Sequence, residues 1–335
     1  MADPSNGEIL GMASYPTFNL NDPRKLTGMY TDEEIKDMSD EEYRNNLYSL
    51  WTNYCVSESY EPGSTFKPVT VASALEEGVV KDGDTYVCKG FETVADYKLK
   101  CHVFSTIGSH GSLTVEQALM NSCNPYMIHL ALEMGNSRFA YYQSLFGFGK
   151  ITGIDLPGET TGIVYGDRMT TIDAACNSFG QTINVNMMQM MAAYCSIING
   201  GMLYQPHIVK RIESANGEVV KEYKANLVRQ TITASTSKLL RRYLKNTVEE
   251  GTAKKAGVTG YSVAGKTGTA QKGDRKDNKW IISFIGHAPA ENPKFAIYVV
   301  IDEPYGTTGT SGSSADVLTL THNILEKLLP YMNVY

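Results

Sequence analysis

Three apolar runs near the C-terminus, at residues 261–271, 280–288 and 295–302, are separated by short polar links, and this spacing constrains the fold more than any other feature. Runs of this length with alternating or continuous apolar residues read as strands, and links this short predict an antiparallel meander. Residues 7–14 read as one earlier strand. Between them the pattern becomes helical. Residues 32–47 are rich in Asp, Glu, Lys and Arg without Pro or Gly, and read as a solvated helix. Residues 170–199, rich in Met and Ala, read as helices around a core whose methionines are packing filler. Residues 235–250 give a helix closed by Gly251, and residues 315–329 a closing amphipathic helix. A strand first, helices in the middle, then a meander and a helix predict an α/β (α+β) fold. An antiparallel sheet completed by both chain ends and flanked by helices carries a mostly helical inserted lobe. The expected boundaries are 7–60 and 255–335 for the sheet lobe and 61–254 for the helical lobe.

A chain of 335 residues buries a core of that size, and its net charge of −6 gives no reason to expect nucleic-acid binding. Lys272, Arg275, Lys276 and Lys279 cluster, but Asp274 and Asp277 interrupt them, which reads as a solvated hairpin tip. Residues 306–314, rich in Gly, Ser and Thr, read as a loop. No stretch reads as a transmembrane helix or a signal peptide.

Within residues 113–134, apolar residues at helical spacing are interrupted by Ser122-Cys123-Asn124-Pro125. Pro125 lacks an amide proton and disfavours a helical conformation at Asn124. A helix ending near Asn121, a turn presenting Ser122 and Asn124, and a second helix from Pro125 are expected. Upstream, Pro62-Gly63 turns the chain into a helix whose first turn holds Ser64. Lys67, three residues on, shares that helix face and is within reach of the serine hydroxyl. A serine hydroxyl needs a base beside it, and a nearby amine serves when burial or positive charge removes its proton. Ser-x-x-Lys alone is common by chance. Here Ser122-Cys123-Asn124 and Lys266-Thr267-Gly268-Thr269 follow it in order.

Ser-x-x-Lys with Ser-x-Asn and Lys-Thr-Gly is the motif set of penicillin-binding proteins and serine β-lactamases. The chain resembles the class B penicillin-binding protein transpeptidases along nearly its whole length. Asn6-Gly7-Glu8-Ile9-Leu10-Gly11-Met12-Ala13-Ser14-Tyr15-Pro16 is similar to that family's first strand, and Trp51-Thr52-Asn53 to its approach to the nucleophile. Phe179-Gly180-Gln181, Ala193-Tyr194 and Asn199-Gly200-Gly201 are similar to its central helical region.

The resemblance implies a peptidoglycan D,D-transpeptidase. Ser64 attacks the penultimate D-Ala carbonyl of a stem peptide, and an amine of a neighbouring stem resolves the acyl-enzyme. β-Lactams acylate the same serine. Lys67 is the expected base, Ser122 a proton relay, and Asn124 a hold on Lys67 and substrate. Lys266 supplies positive charge favouring neutral Lys67, Thr267 and Thr269 meet the substrate carboxylate, and Gly268 leaves room for substrate. The oxyanion hole would be the amides of Ser64 and Thr269. Also implied are a glycosyltransferase partner and a domain outside the cytoplasmic membrane. An N-terminal anchor and a pedestal domain would lie beyond these residues. A β-lactamase, a D,D-carboxypeptidase and a β-lactam sensor share the motifs and stay open as alternatives.

The serine chemistry needs no cofactor, yet Cys88, Cys101, His102 and His110 supply four N/S ligands within a short span, a set suited to structural Zn²⁺. Cys88 and Cys101 are expected to flank a hairpin turning at Gly90. Adjacent Cys101 and His102 point opposite ways on a regular strand, so one of them is exchangeable for Asp84. A Cys88–Cys101 disulfide and free thiols are the competing readings. Cys176 and Cys195 read as small buried residues, and Cys55 gives no signal.

Overall fold

The structure is a computed structural model that describes every residue except 27, 274–277, 305–312 and 335. The tip of the basic cluster and most of the 306–314 loop therefore lie outside the described residues.

The solvated N-terminal helix is two helices, α1 (Asp32–Asp37) and α2 (Asp40–Trp51). Two capping boxes, Thr31 with Glu34 and Ser39 with Glu42, cause the break, because each cap starts a helix of its own. After the short α3 (Tyr54–Ser57) a 3₁₀ turn, Gly63–Phe66, runs directly into α4 (Lys67–Glu77), whose first turn holds Pro68 and whose end is Gly78 at φ 77°.

Next come β1 (Thr85–Cys88), β2 (Phe91–Val94), β3 (Tyr97–Lys100) and β4 (Gly111–Thr114). β2 pairs with β3, turning at Ala95-Asp96, and β1 pairs with β4. The hairpin expected to turn at Gly90 is thus replaced by two nested two-stranded ladders. At Gly90 (φ 88°) a Cβ would lie 2.0 Å from Gly108 O, so this glycine allows chain crossing rather than a strand turn.

α5 (Val115–Met120) and α6 (Asn124–Met134) flank the interruption in the predicted long helix, with Pro125 in the first turn of α6. α7 (Asn136–Leu145) and α8 (Thr171–Asn177) lead to α9 (Met187–Ile198), which is buried at every position. Four short strands, β5 (Met202–Tyr204), β6 (Arg211–Glu213), β7 (Val219–Glu222) and β8 (Leu227–Gln230), form two more ladders, β5 with β8 and β6 with β7. α10 (Ala234–Glu249) then leads to the meander of β9 (Ala264–Lys272), β10 (Lys279–Ala288) and β11 (Phe295–Asp302), fully antiparallel in the order β11-β10-β9. The last element is α11 (Ala315–Tyr331).

The predicted strand at residues 7–14 forms only isolated bridges, Glu8 with His207 and Ile9 with Ala2. Ala2 itself takes the β11 edge, exchanging backbone bonds with Ala296 at 3.0 and 2.8 Å, so Ile9 pairs behind it. One core joins α4, α6, α9 and α10 to one face of the sheet through residues such as Phe66, Ile128, Ile197 and Leu244. A second lies between the sheet and α11 through Phe284, Phe295, Leu318 and Leu325. No helix among the described residues is long and apolar enough to cross a membrane.

Candidate active site

Three segments distant in sequence meet through glycines. Gly63 donates its N–H to Gly180 O at 2.9 Å. A Cβ on Gly63 (φ 56°) would sit 2.5 Å from Thr269 O, and one on Gly180 (φ 82°) would sit 2.0 Å from Gly63 O. Side chains at either position would push the Ser64 turn, the 178–182 loop and β9 apart.

Gly268 belongs to the same contact. Its missing Cβ is required by Ser283 Oγ (2.4 Å away) and Pro62 O (2.8 Å away), so the space expected for substrate is filled by the approach to Ser64 itself. Alternation along β9 puts Lys266 and Gly268 on one face and Thr267 and Thr269 on the other.

Lys67, at the start of α4, is fully buried. Its Nζ donates to Ser122 O at 2.6 Å, Ser122 Oγ at 2.9 Å and Asn124 Oδ1 at 2.7 Å. Ser122 Oγ in turn donates to Ser64 Oγ at 3.0 Å. The direct Lys67–Ser64 reach expected from the sequence is therefore an indirect chain through Ser122, because Ser122 and Asn124 occupy all three ammonium hydrogens. Burial pushes the Lys67 amine down to about 8, against an opposing pull from the Cys101 and Cys123 thiols.

Lys266 is fully buried as well, and burial together with the Lys67 charge drives it well below its ordinary value. Its Nζ donates to Thr267 O at 3.2 Å and lies 3.5 Å from Thr267 Oγ1. The repulsion between the two buried ammonium groups is mutual, so at most one of them carries its charge easily.

Ser122 has φ 54°, an uncommon conformation for a residue with a side chain. It lies just past the end of α5, with Ser122 N–H bonded to Leu119 O at 3.2 Å and Cys123 N–H to Ala118 O at 2.8 Å. This is a Schellman motif with serine in the position that favours glycine. The turn aims Ser122 at Ser64 while Asn124, at the first position of α6, faces Lys67.

Behind that turn, Cys88, Cys101, His110 and Cys123 place their ligand atoms within 4.8 Å of one another. Cys101 Sγ lies 3.5 Å and Cys88 Sγ 3.8 Å from His110 Nδ1. Three of the four expected ligands are here. His102 is not: its Nδ1 sits 3.9 Å from the neighbouring Cys101 Sγ, outside the cluster, and Asp84 is not part of it either. Cys123 takes the fourth place because the α5–α6 turn pushes its thiol inward as Ser122 and Asn124 face the cleft. A cysteine at the middle of the Ser-x-Asn triplet was the available signal, and spacing alone did not connect it to Cys88.

Cys88 and Cys101 are free thiols, so the disulfide is not formed. Cys101 and Cys123 share a hydrogen bond that, with contacts to His102 and His110, holds the Cys101 thiol below its ordinary value and the Cys123 thiol above it, so one proton is shared between the two sulfurs. The donor set is of the kind that holds tetrahedral Zn²⁺.

A family model described as the penicillin binding protein transpeptidase domain matches residues 1–326. Stage V sporulation protein D of Bacillus subtilis is 39% identical over 338 residues, covering 99% of this chain and 49% of that protein. The chain thus spans about half the length of the curated relatives it matches. Among solved structures, the D,D-transpeptidase domain of a peptidoglycan glycosyltransferase from Eggerthella lenta superposes with a TM-score of 0.83 at 27% identity, covering 99% of this chain and 77% of that one. Penicillin binding protein 3 of Mycobacterium tuberculosis, complexed with aztreonam, superposes with a TM-score of 0.82 at 28% identity, covering 99% and 72%.

Proposed function

The chain belongs to the penicillin-binding protein transpeptidase domain family, and from that premise we propose that it is the catalytic domain of a peptidoglycan D,D-transpeptidase. The hydrogen-bonded chain Lys67–Ser122–Ser64 carries the proposal. Ser64 is the nucleophile. When Lys67 loses a proton the two hydroxyls turn about, Ser64 donating to Ser122 and Ser122 to the amine, so the Ser64 proton leaves as its oxygen attacks the penultimate D-Ala carbonyl. The C–N bond to the terminal D-Ala breaks and the leaving amine takes a proton back through Ser122. An amine from a second stem then displaces Ser64 and forms the cross-link. Asn124 holds Lys67. Lys266, Thr267 and Thr269 take the terminal carboxylate, and the amides of Ser64 and Thr269 receive the oxyanion. The contact of Gly63 with Thr269 supports that pairing.

Intact-protein mass spectrometry after mixing with benzylpenicillin tests this reading. One persistent drug adduct, absent in Ser64→Ala, is expected. Fast drug loss without an adduct would point to a β-lactamase, and no reaction would sink the site.

The finer architecture belongs to the same reading: a sheet lobe of residues 7–60 and 255–335, completed by both chain ends, with residues 61–254 as the helical lobe. The Ala2–Ala296 bridge and the packing of α11 support it. A membrane anchor outside these residues, an extracytoplasmic position, and a polymerising glycosyltransferase partner fit an enzyme whose substrate is the cell wall. The Eggerthella lenta relative, a domain of a peptidoglycan glycosyltransferase, supports the last of these.

Cys88, Cys101, His110 and Cys123 would hold one structural Zn²⁺, with Cys123 tying it to the Ser122–Asn124 turn. Elemental analysis should find about one zinc per chain, and a metal-free protein of unchanged stability would exclude the site.

A further inference from the structure

We propose that Thr252 is a positioning residue for recognition of the substrate carboxylate: its hydroxyl backs that of Thr267 as a donor and ties β9 to the Ser122 turn. This rests on the transpeptidase reading and adds to that site a residue outside all three motifs.

The end of α5 explains why Thr252 sits where it does. The last turn of a helix leaves carbonyls without partners. Here the turn itself satisfies three of them. Gln117 O takes the Asn121 N–H at 2.9 Å, Ala118 O the Cys123 N–H at 2.8 Å and Leu119 O the Ser122 N–H at 3.2 Å. Met120 O is left over, and Thr252 supplies it twice, from its N–H and from its Oγ1, each at 3.2 Å. Gly251, which closes α10, permits the approach, because a Cβ there would lie 2.8 Å from Met120 O and 2.8 Å from Thr247 O. Thr252 is thereby fixed to a residue two positions before Ser122.

On its other side Thr252 meets β9. Lys266 Nζ lies 3.5 Å from Thr267 Oγ1, which donates to Thr252 Oγ1 at 3.5 Å, and that hydroxyl donates to Met120 O. In this order the Thr267 hydrogen is spent on Thr252, whereas a carboxylate only accepts and needs it. The chain can reverse without orphaning a carbonyl. Met120 O keeps the Thr252 N–H when the Thr252 hydroxyl turns away, so that hydroxyl can donate to Thr267 Oγ1 and Thr267 to the carboxylate. Hydrogen bonds in such a row polarise one another, and Thr267 becomes the stronger donor for having Thr252 behind it. Both 3.5 Å steps are long for hydrogen bonds, and active-site bonds of this kind shorten once substrate is held. Thr252 also keeps the groups that hold the substrate's end in one frame with the hydroxyl that moves the Ser64 proton.

The test compares acylation of Ser64 by benzylpenicillin and by its methyl ester, which lacks the carboxylate. The ratio of the two second-order rate constants reads carboxylate recognition, and a general slowing of the enzyme cancels from it. In the wild-type protein the acid should acylate faster. Thr252→Val keeps the shape and the N–H to Met120 O and should lower the ratio about fivefold, the worth of one hydrogen bond. Thr252→Ser, which restores the hydroxyl, should bring the ratio back. Thr252→Ala gives the same reading where the valine variant does not fold. A ratio that stays at or above the wild-type value without the hydroxyl, or one that Thr252→Ser does not restore, would overturn the proposal alone. A wild-type protein that treats acid and ester alike removes the carboxylate role of Lys266 and Thr267 together with that of Thr252. No acylation by either compound removes the transpeptidase reading and the proposal with it.

Discussion

Lys67 is an ammonium with three hydrogens and three acceptors, two on Ser122 and one on Asn124, which leaves nothing for Ser64 until a proton is lost. Its burial places that loss at about 8. The active form is the neutral amine, so the sign is fixed: acylation by penicillin should rise about tenfold per pH unit below that value and level off above it. Stopped-flow acylation across pH measures the curve, and a flat profile would remove Lys67 as the base. Lys67→Arg keeps the charge but cannot deprotonate near neutral pH, so acylation should fall by about a hundredfold or more with no rising limb. His287 makes a useful contrast. It is also fully buried, bonded to Tyr194 at 2.9 Å, and pushed down to about 3, so it stays neutral across the same range and should not enter the profile.

At the scale of single elements, the end of α5 does two jobs at once. Ser122 occupies a left-handed position, φ 54°, that glycine would take without strain. Ser122→Gly and Ser122→Ala both remove the hydroxyl and should both slow acylation. The glycine variant should nonetheless be the more stable of the two by about 1 kcal/mol, since only alanine keeps a Cβ there. Equal denaturation midpoints would contradict the strain. The same turn carries Cys123 into the thiol cluster of β1, the end of β3 and the segment before β4. Elemental analysis should therefore find zinc retained in His102→Ala and lost in Cys123→Ala, the reverse of what spacing along the sequence suggests.

At the scale of the whole molecule, the site exists because three distant segments interlock at Gly63, Gly180 and the Thr269 backbone. Gly180→Ala adds left-handed strain and a Cβ 2.0 Å from Gly63 O, so about 2–5 kcal/mol of stability should be lost, and Ser64 acylation with it. A denaturation midpoint and the penicillin adduct measure both losses, and normal values would mean that this contact does not hold the site together. What local chemistry controls was legible in the sequence: the strands β9, β10 and β11, the helical break before Pro125, the order of the three motifs, and thiols suited to a metal. Each depends on periodicity, on one missing amide proton, or on residue type, and these act over a few neighbours. The rest depended on tertiary contacts. Ala2 rather than Ile9 takes the β11 edge, Gly268 makes room for Pro62 rather than for substrate, and Ser122 stands between Lys67 and Ser64. Cys123 displaces His102 from the cluster for the same reason: the fold sets which side chains meet across the cleft, and spacing along the chain carries no record of it.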